Sequence, residues 1–337
     1  MAAYTRLWRF WQILVKTLSR KGSGIAMDTL AVVMQQPGSV TLSRLPLAPL
    51  ADDEVAVDVR WSGISTGTER LLWSGDMPPF PGMGYPLVPG YETVGRISQT
   101  APGLESRLDE LVFVSGARCY GDVKGLFGGA ASRIVCASDK ATRIASHLHE
   151  EGVLLALAAT ARHAIRRVDR APELIVGHGV LGRLIARLAL ADGHSPTVWE
   201  TNAARRESAD GYSVLDPAED PRHDYQCVID VSGDAAVLDQ LIARMQPRAD
   251  LVLAGFYKDR VSFEFPQAFM REVSISIAAE WQPEDLQHVI DSTARHELSL
   301  AGLITHAVAA GDAAAAYDTA FTDPACLKMI LDWSESQ

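Results

Sequence analysis

Residues 174–190 read LIVGHGVLGRLIARLAL. Three apolar residues of strand character run into a turn carrying Gly177, Gly179 and Gly182, and an amphipathic stretch of helical period follows. A GxGxxG turn between strand and helix constrains the fold more than anything else in the 337 residues. Gly177 would make the tight turn, Gly179 would let backbone approach a pyrophosphate, and Gly182 would let the helix lie close on the strand. The pyrophosphate would then rest on the helix N-terminus at Val180 and Leu181, where unpaired N–H groups and the helix dipole favour an anion. Glu200 lies 18 residues past Gly182, at the end of the strand-like SPTVWE (195–200). A carboxylate there accepts hydrogen bonds from ribose hydroxyls and repels a 2′-phosphate, so NAD is the expected cofactor. Arg205 and Arg206 close by keep NADP open. Gly233 and Gly255, at the ends of CVIDVSG (227–233) and DLVLAGF (250–256), complete the expected cofactor residues. His178, inside the turn, is expected to point at cofactor space.

The period of the chain changes near residue 149. Before it, LAVVM (30–34), EVAVDVRWSG (54–63), TVGRISQT (93–100), ELVFVSG (110–116) and ASRIVCA (131–137) read as short strands. A long loop, MPPFPGMGYPLVPGYE (77–92), interrupts them. After it, strands alternate with helix-like stretches at 149–168 and 235–245, the signature of a doubly wound parallel sheet. From about 280 the chain is helical again, with a final strand-like CLKMILDW (326–333).

Composition excludes several function classes. A net charge of −11 argues against nucleic acid as a partner. Cys119, Cys136, Cys227 and Cys326 lie far apart with no CxxC pair, against a disulfide scaffold or a cysteine-rich zinc lobe. No apolar run reaches the ~20 residues of a membrane span. A cytoplasmic protein is expected. Residues 1–26 carry five basic residues and no acid among crowded aromatic and aliphatic ones. Two readings stay open: a basic amphipathic helix on an anionic membrane surface, or an upstream stretch preceding a start at Met27.

Several stretches together resemble the medium-chain dehydrogenase/reductase superfamily. They are Gly63-Ile64-Ser65-Thr66-Gly67-Thr68-Glu69, Pro89-Gly90-Tyr91-Glu92, the glycine turn, Asp230-Val231-Ser232-Gly233 and Ile304-Thr305-His306. The resemblance implies a β-rich GroES-like barrel of residues 27–148 plus 280–337 and a Rossmann domain of 149–279. Zinc-dependent relatives carry a Cys before Gly-Thr/Ser-Asp and a Gly-His-Glu. Here those positions hold Ser65 or Thr66, ambiguous by one, and Tyr91, which implies a zinc-free member. More narrowly, SGISTGTER, PGMGYPLVPGYE, GARCYGDVKGLFGGA and LAATARHA resemble the bacteriochlorophyllide dehydrogenase family. That resemblance implies NAD-dependent oxidation of a C3 1-hydroxyethyl group to acetyl on a tetrapyrrole, and it admits a second copy of the chain as partner.

Without zinc, hydrogen-bond donors and a base must manage the alcohol proton. The expected catalytic residues are Ser65, Thr66, Tyr91, Glu92 and His163, with Thr68 and Glu69 beside them. Trp61, Trp73, Phe80, Tyr85, Tyr91, Tyr120 and Phe127 could stack on a macrocycle or serve as core. Two rivals remain: a zinc-free quinone or enoyl reductase using NADPH, and a catalytically inactive nucleotide-binding relative.

Overall fold

Strands with buried residues on both faces need cover on both sides, and only a parallel sheet between helices provides it. The computed structural model, which describes residues 27–207 and 209–336, contains such a sheet of six strands. Their spatial order is Ser213–Leu215, Thr197–Trp199, Leu174–Val176, Tyr225–Asp230, Met245–Leu253 and Ser274–Ile277. Every neighbouring pair is parallel. In chain order this is 3-2-1-4-5-6, so the order reverses between Leu174–Val176 and Tyr225–Asp230, and a crevice opens beyond their carboxyl ends. The glycine turn stands at that crevice. Ser274–Ile277 is the free edge of the sheet, and Ile277 is 69% exposed.

The first half of the chain builds two antiparallel-rich sheets around a second core. One holds, in order, His306–Ala309, Met329–Asp332, Glu54–Ile64, Thr93–Thr100, Leu111–Val114 and Ala141–Arg143, with Arg133–Ala137 also on Glu54–Ile64. The other is Ser39–Leu47, Met27–Gln36, Leu87–Val88 and Lys124–Gly125. The edge strand Ser39–Leu47 is not among the strands expected from the sequence, although Val40, Leu42, Leu45 and Leu47 alternate with polar residues; it contains Pro46, whose missing N–H an edge tolerates.

The C-terminal return begins later than the expected residue 280. The helix Pro283–Ala294 packs on the helix Leu155–Ile165. Val289, Ile290, Leu298, Leu300 and Leu303 share a core with Ala158, Ala161 and Leu184, so apolar burial keeps this stretch on the nucleotide half. Only from His306 does the chain rejoin the first half, where Met329–Asp332 pairs with Trp61–Ile64. Among the described residues no helix is long and apolar enough to cross a membrane. Both readings of residues 1–26 concern positions outside the described residues.

Candidate active site

The turn has the geometry its glycines require. Gly177 sits at φ +103°, open to glycine but strained for other residues. A Cβ on Gly182 would lie 1.8 Å from the Gly177 carbonyl oxygen, so only glycine lets the helix Val180–Ala191 start this close. A Cβ on Gly179 would meet nothing within 4 Å. The open side faces a cleft of about 400 Å³ lined by Gly179, Val180, Asn202 and Arg205 on one wall and Thr66 and Arg70 on the other. Open space above a helix N-terminus fits a dinucleotide pyrophosphate. Across the switch point, a Cβ on Gly255 would come within 2.8 Å of the Gly233 nitrogen, so these two turns pack only as glycines. Glu200 accepts from the backbone N–H of His178 (3.1 Å) and of Asn202 (2.8 Å), which fixes its carboxylate and leaves lone pairs for a ribose.

His178 does not point at cofactor space. Its side chain is fully buried beneath the turn, on the Arg205 carbonyl oxygen (2.6 Å) and the Tyr212 hydroxyl (2.8 Å). A ring between two hydrogen-bond partners is not free to ligate a magnesium ion.

Beside Thr66, Ser65 Oγ and Tyr91 OH lie 2.6 Å apart. Ser65 is buried, whereas Thr66 is exposed in the cleft, so it is Ser65 that meets Tyr91. Burial pushes the Tyr91 hydroxyl well above the ordinary phenol range, with nearby Glu92 and Glu69 raising it further and hydrogen bonds to Ser65 and Thr68 opposing. The phenol therefore stays protonated. Phe127 stands edge-on to its ring at 5.3 Å.

Two fully buried carboxylates flank this pair. Glu92 is held by Lys328 Nζ at 2.7 and 2.9 Å, and Lys328 also donates to the Ile64 carbonyl at 3.1 Å. A Cβ on Gly63 would lie 2.1 Å from Glu92 Oε2, so glycine there makes room for the carboxylate. Glu92, expected as a catalytic group, is thus committed to an ion pair. Among the described residues Glu69 accepts from neutral donors, Tyr317 OH at 2.7 Å and the Ser65 backbone N–H at 3.4 Å. Burial pushes its carboxyl up to about 8, against the hydrogen bond from Tyr317 and with Glu92 adding to the rise. Sequence reasoning missed Lys328 and Tyr317. A lysine inside the apolar CLKMILDW was a usable signal for the first; the alanine-rich helix Ala313–Thr322 offered none for the second.

His163 is placed elsewhere than expected. Its Nδ1 lies 2.9 Å from Asp285 Oδ2, and Arg166 reaches the other oxygen of Asp285 at 2.7 Å. Asp285 also accepts from the N-terminus of its own helix through Gln282 N. The histidine fastens one helix to the next, bonded to none of Ser65, Tyr91 and Glu92. Among the aromatic residues, Tyr120 is core, its hydroxyl on the Gly128 carbonyl. Trp73 packs against Phe321, and Trp61 lines a separate cavity of about 540 Å³ with Glu150, Thr305 and His306.

The chain is 52% identical over 314 residues to the 2-desacetyl-2-hydroxyethyl bacteriochlorophyllide A dehydrogenase of Rhodobacter capsulatus, covering 92% of this chain and 100% of that one. The chain belongs to that dehydrogenase family. It is 51% identical to the protein of the same description from Cereibacter sphaeroides, over 91% of this chain and 99% of that one. No family model matches it. Among solved structures, Escherichia coli L-idonate 5-dehydrogenase superposes with TM-score 0.81 at 14% identity, over 91% of this chain and 99% of that one. An E. coli protein described as a short chain alcohol dehydrogenase, solved with NADH, gives 0.78 at 20% identity, over 90% and 99%. These neighbours fix the fold: a GroES-like half and a Rossmann half, as in the medium-chain dehydrogenase/reductase superfamily. The dehydrogenase family makes the chain an oxidoreductase acting on CH–OH. The catalytic zinc of many superfamily members has no fitting ligands at Ser65, Thr66 and Tyr91: these offer neutral hydroxyls, the buried ones bonded to each other. Among the described residues, no group of three His, Cys, Asp or Glu side chains could hold a metal ion.

Proposed function

We propose that the chain oxidises the 1-hydroxyethyl side chain of a bacteriochlorophyllide to acetyl, with NAD as hydride acceptor and no catalytic zinc. The substrate follows from the family, in which the relatives at 51–52% identity are named for it. The observation that carries the zinc-free mechanism is the Ser65–Tyr91 hydroxyl pair, next in the chain to Thr66, which lines the cleft at the glycine turn.

When bound, the nicotinamide supplies the carbon that takes the hydride. The chain must stabilise the negative charge that grows on the alcohol oxygen as the hydride leaves. Tyr91 OH shares hydrogen bonds with Ser65 and Thr68, and reorienting one of these hydroxyls would present an O–H to that oxygen, polarised by its partners. Tyr91 cannot act as a base, because burial holds it protonated. Glu69, pushed up to about 8, exchanges a proton near neutral pH, and in its ionised fraction it is the better acceptor for the alcohol proton. Lys328 fixes both Glu92 and the Ile64 carbonyl, and so sets the strand end that presents Ser65.

NAD is favoured by Glu200, whose charge at the ribose opposes a 2′-phosphate; the same residue weighs against the NADPH-dependent reductase reading. The test uses the purified chain, NAD and 3-hydroxyethyl bacteriochlorophyllide. Expected is a long-wavelength absorption shift as acetyl conjugates with the ring, unaffected by chelators, with zinc far below one per chain. No shift removes the substrate; stoichiometric zinc that chelators strip along with activity removes the mechanism.

A further inference from the structure

His178 belongs to the glycine turn, yet neither the dinucleotide fingerprint nor the hydroxyl pair uses its side chain. The Arg205 carbonyl oxygen, 2.6 Å from Nδ1, can only accept, so Nδ1 carries the proton. Nε2 is then the acceptor for the Tyr212 hydroxyl at 2.8 Å. Burial pushes the imidazole down to about 4, with Arg183 and Arg187 of the following helix lowering it and the Arg205 carbonyl and Glu200 opposing. The ring is neutral at physiological pH, and this tautomer holds.

The consequence is a clamp. The backbone N–H of His178 holds Glu200 at 3.1 Å while its side chain holds the loop that follows Glu200. Arg183 closes the same loop, donating to the His178 carbonyl (3.1 Å), the Arg205 carbonyl (3.1 Å) and the Glu207 carbonyl (3.4 Å). With the loop so fixed, both neighbouring guanidiniums have partners, Arg206 outside the cleft lining and Arg205 on Pro324, which lines the cleft with it. Arg206 Nη1 lies 2.6 Å from Asp216 and 3.3 Å from the Glu200 carbonyl, and Arg205 Nε donates to the Pro324 carbonyl at 3.0 Å.

We propose that His178 is a positioning residue for cofactor choice: it clamps the loop after Glu200 so that the carboxylate stays at the ribose and Arg206 stays on Asp216, off the place a 2′-phosphate would occupy. This rests on the reading that Glu200 faces the adenosine ribose. A loosened loop would let an arginine swing toward that place, where a guanidinium forks onto phosphate oxygens.

Binding of NADH and NADPH to the purified chain, followed by nicotinamide fluorescence, tests it without turnover. The native protein should bind NADH the more tightly. In His178→Ala the ratio of the two dissociation constants should narrow about tenfold, chiefly through weaker NADH binding, a change of ~1.4 kcal/mol. His178→Asn keeps a donor for the Arg205 carbonyl and should retain most of the ratio. Should His178→Ala fail to fold, Asp216→Asn, at a half-buried pair, frees Arg206 and should narrow the ratio several-fold by strengthening NADPH. Equal weakening of both cofactors in His178→Ala, or an unchanged ratio in Asp216→Asn, overturns the inference. A native preference for NADPH overturns the Glu200 reading and the inference together.

Discussion

Glu69 and Glu92 are both fully buried, and both act on the Tyr91 hydroxyl, yet they are kept by opposite means. Glu92 has an ammonium on both oxygens, while Glu69 has a phenol and a backbone amide. A buried charge facing a full opposite charge stays charged; one facing only dipoles takes up a proton instead. The same region therefore contains a fixed ion pair, which gives shape, and a titratable acid, to which the proposed mechanism assigns chemistry. That difference can be broken at three points.

The largest effect belongs to the ion pair. Lys328→Met should leave Glu92 buried without a counter-charge and cost about 3–5 kcal/mol, read as a fall in denaturant midpoint. Lys328→Met with Glu92→Gln should recover most of that loss, because no bare charge remains. A single variant as stable as the native chain, or a double variant no better than the single, would show that Glu92 is not held as described.

Next comes the hydroxyl pair between the two carboxylates. Tyr91→Phe and Ser65→Ala should each lower kcat about 10²–10³-fold, with little change in KM, because the lost donor serves the transition state more than the ground state. The double variant should be hardly worse than either single, since the two hydroxyls act as a unit. Additive losses would show that the two hydroxyls act separately.

The parts of the molecule differ in how much of them the sequence displays. The glycine turn was legible because its physics is local: strand, three glycines and helix lie within 20 residues, and Glu200 follows at a fixed distance. The parallel sheet was legible for the same reason, each strand being a short apolar run with its helix beside it. The Glu92–Lys328 pair spans 236 residues and the Tyr317–Glu69 bond 248, so both depend on how the C-terminal strand and helix return to the first half. No spacing rule connects such residues. His163 shows the converse error: a histidine close in sequence to the glycine turn is bound to Asp285, 122 residues away, because the helix Pro283–Ala294 packs where the first half was expected. The clamp at His178 was hidden for a third reason, since a turn motif gives the path of the backbone but not which way a side chain leaves it.

The effect that isolates Glu69 is on stability against pH. Its folded-state carboxyl titrates near 8 and an ordinary one near 4.5. Between those values the native chain holds a proton that the unfolded chain has released. Stability from this group therefore falls as pH rises through that window and is flat on either side. The sign is opposite to that of an ion-paired acid, whose contribution is lost as pH falls. Glu69→Gln carries an amide in place of the protonated acid, keeps the Tyr317 hydroxyl as partner and cannot titrate. At pH 5 the two proteins should melt at nearly the same temperature, and toward pH 8 the Gln variant should melt higher. The gap is a matter of degrees, since 1 kcal/mol moves Tm by only about 2–4 °C in chains of 150–250 residues and by less in longer ones. Other groups that titrate over the range, Asp230 among them, are common to both proteins and cancel in the difference. Parallel melting curves from pH 5 to 9 would mean that Glu69 is ionised throughout. The contrast with Glu92 would then vanish, and with it the case for Glu69 as a group that exchanges a proton near neutral pH.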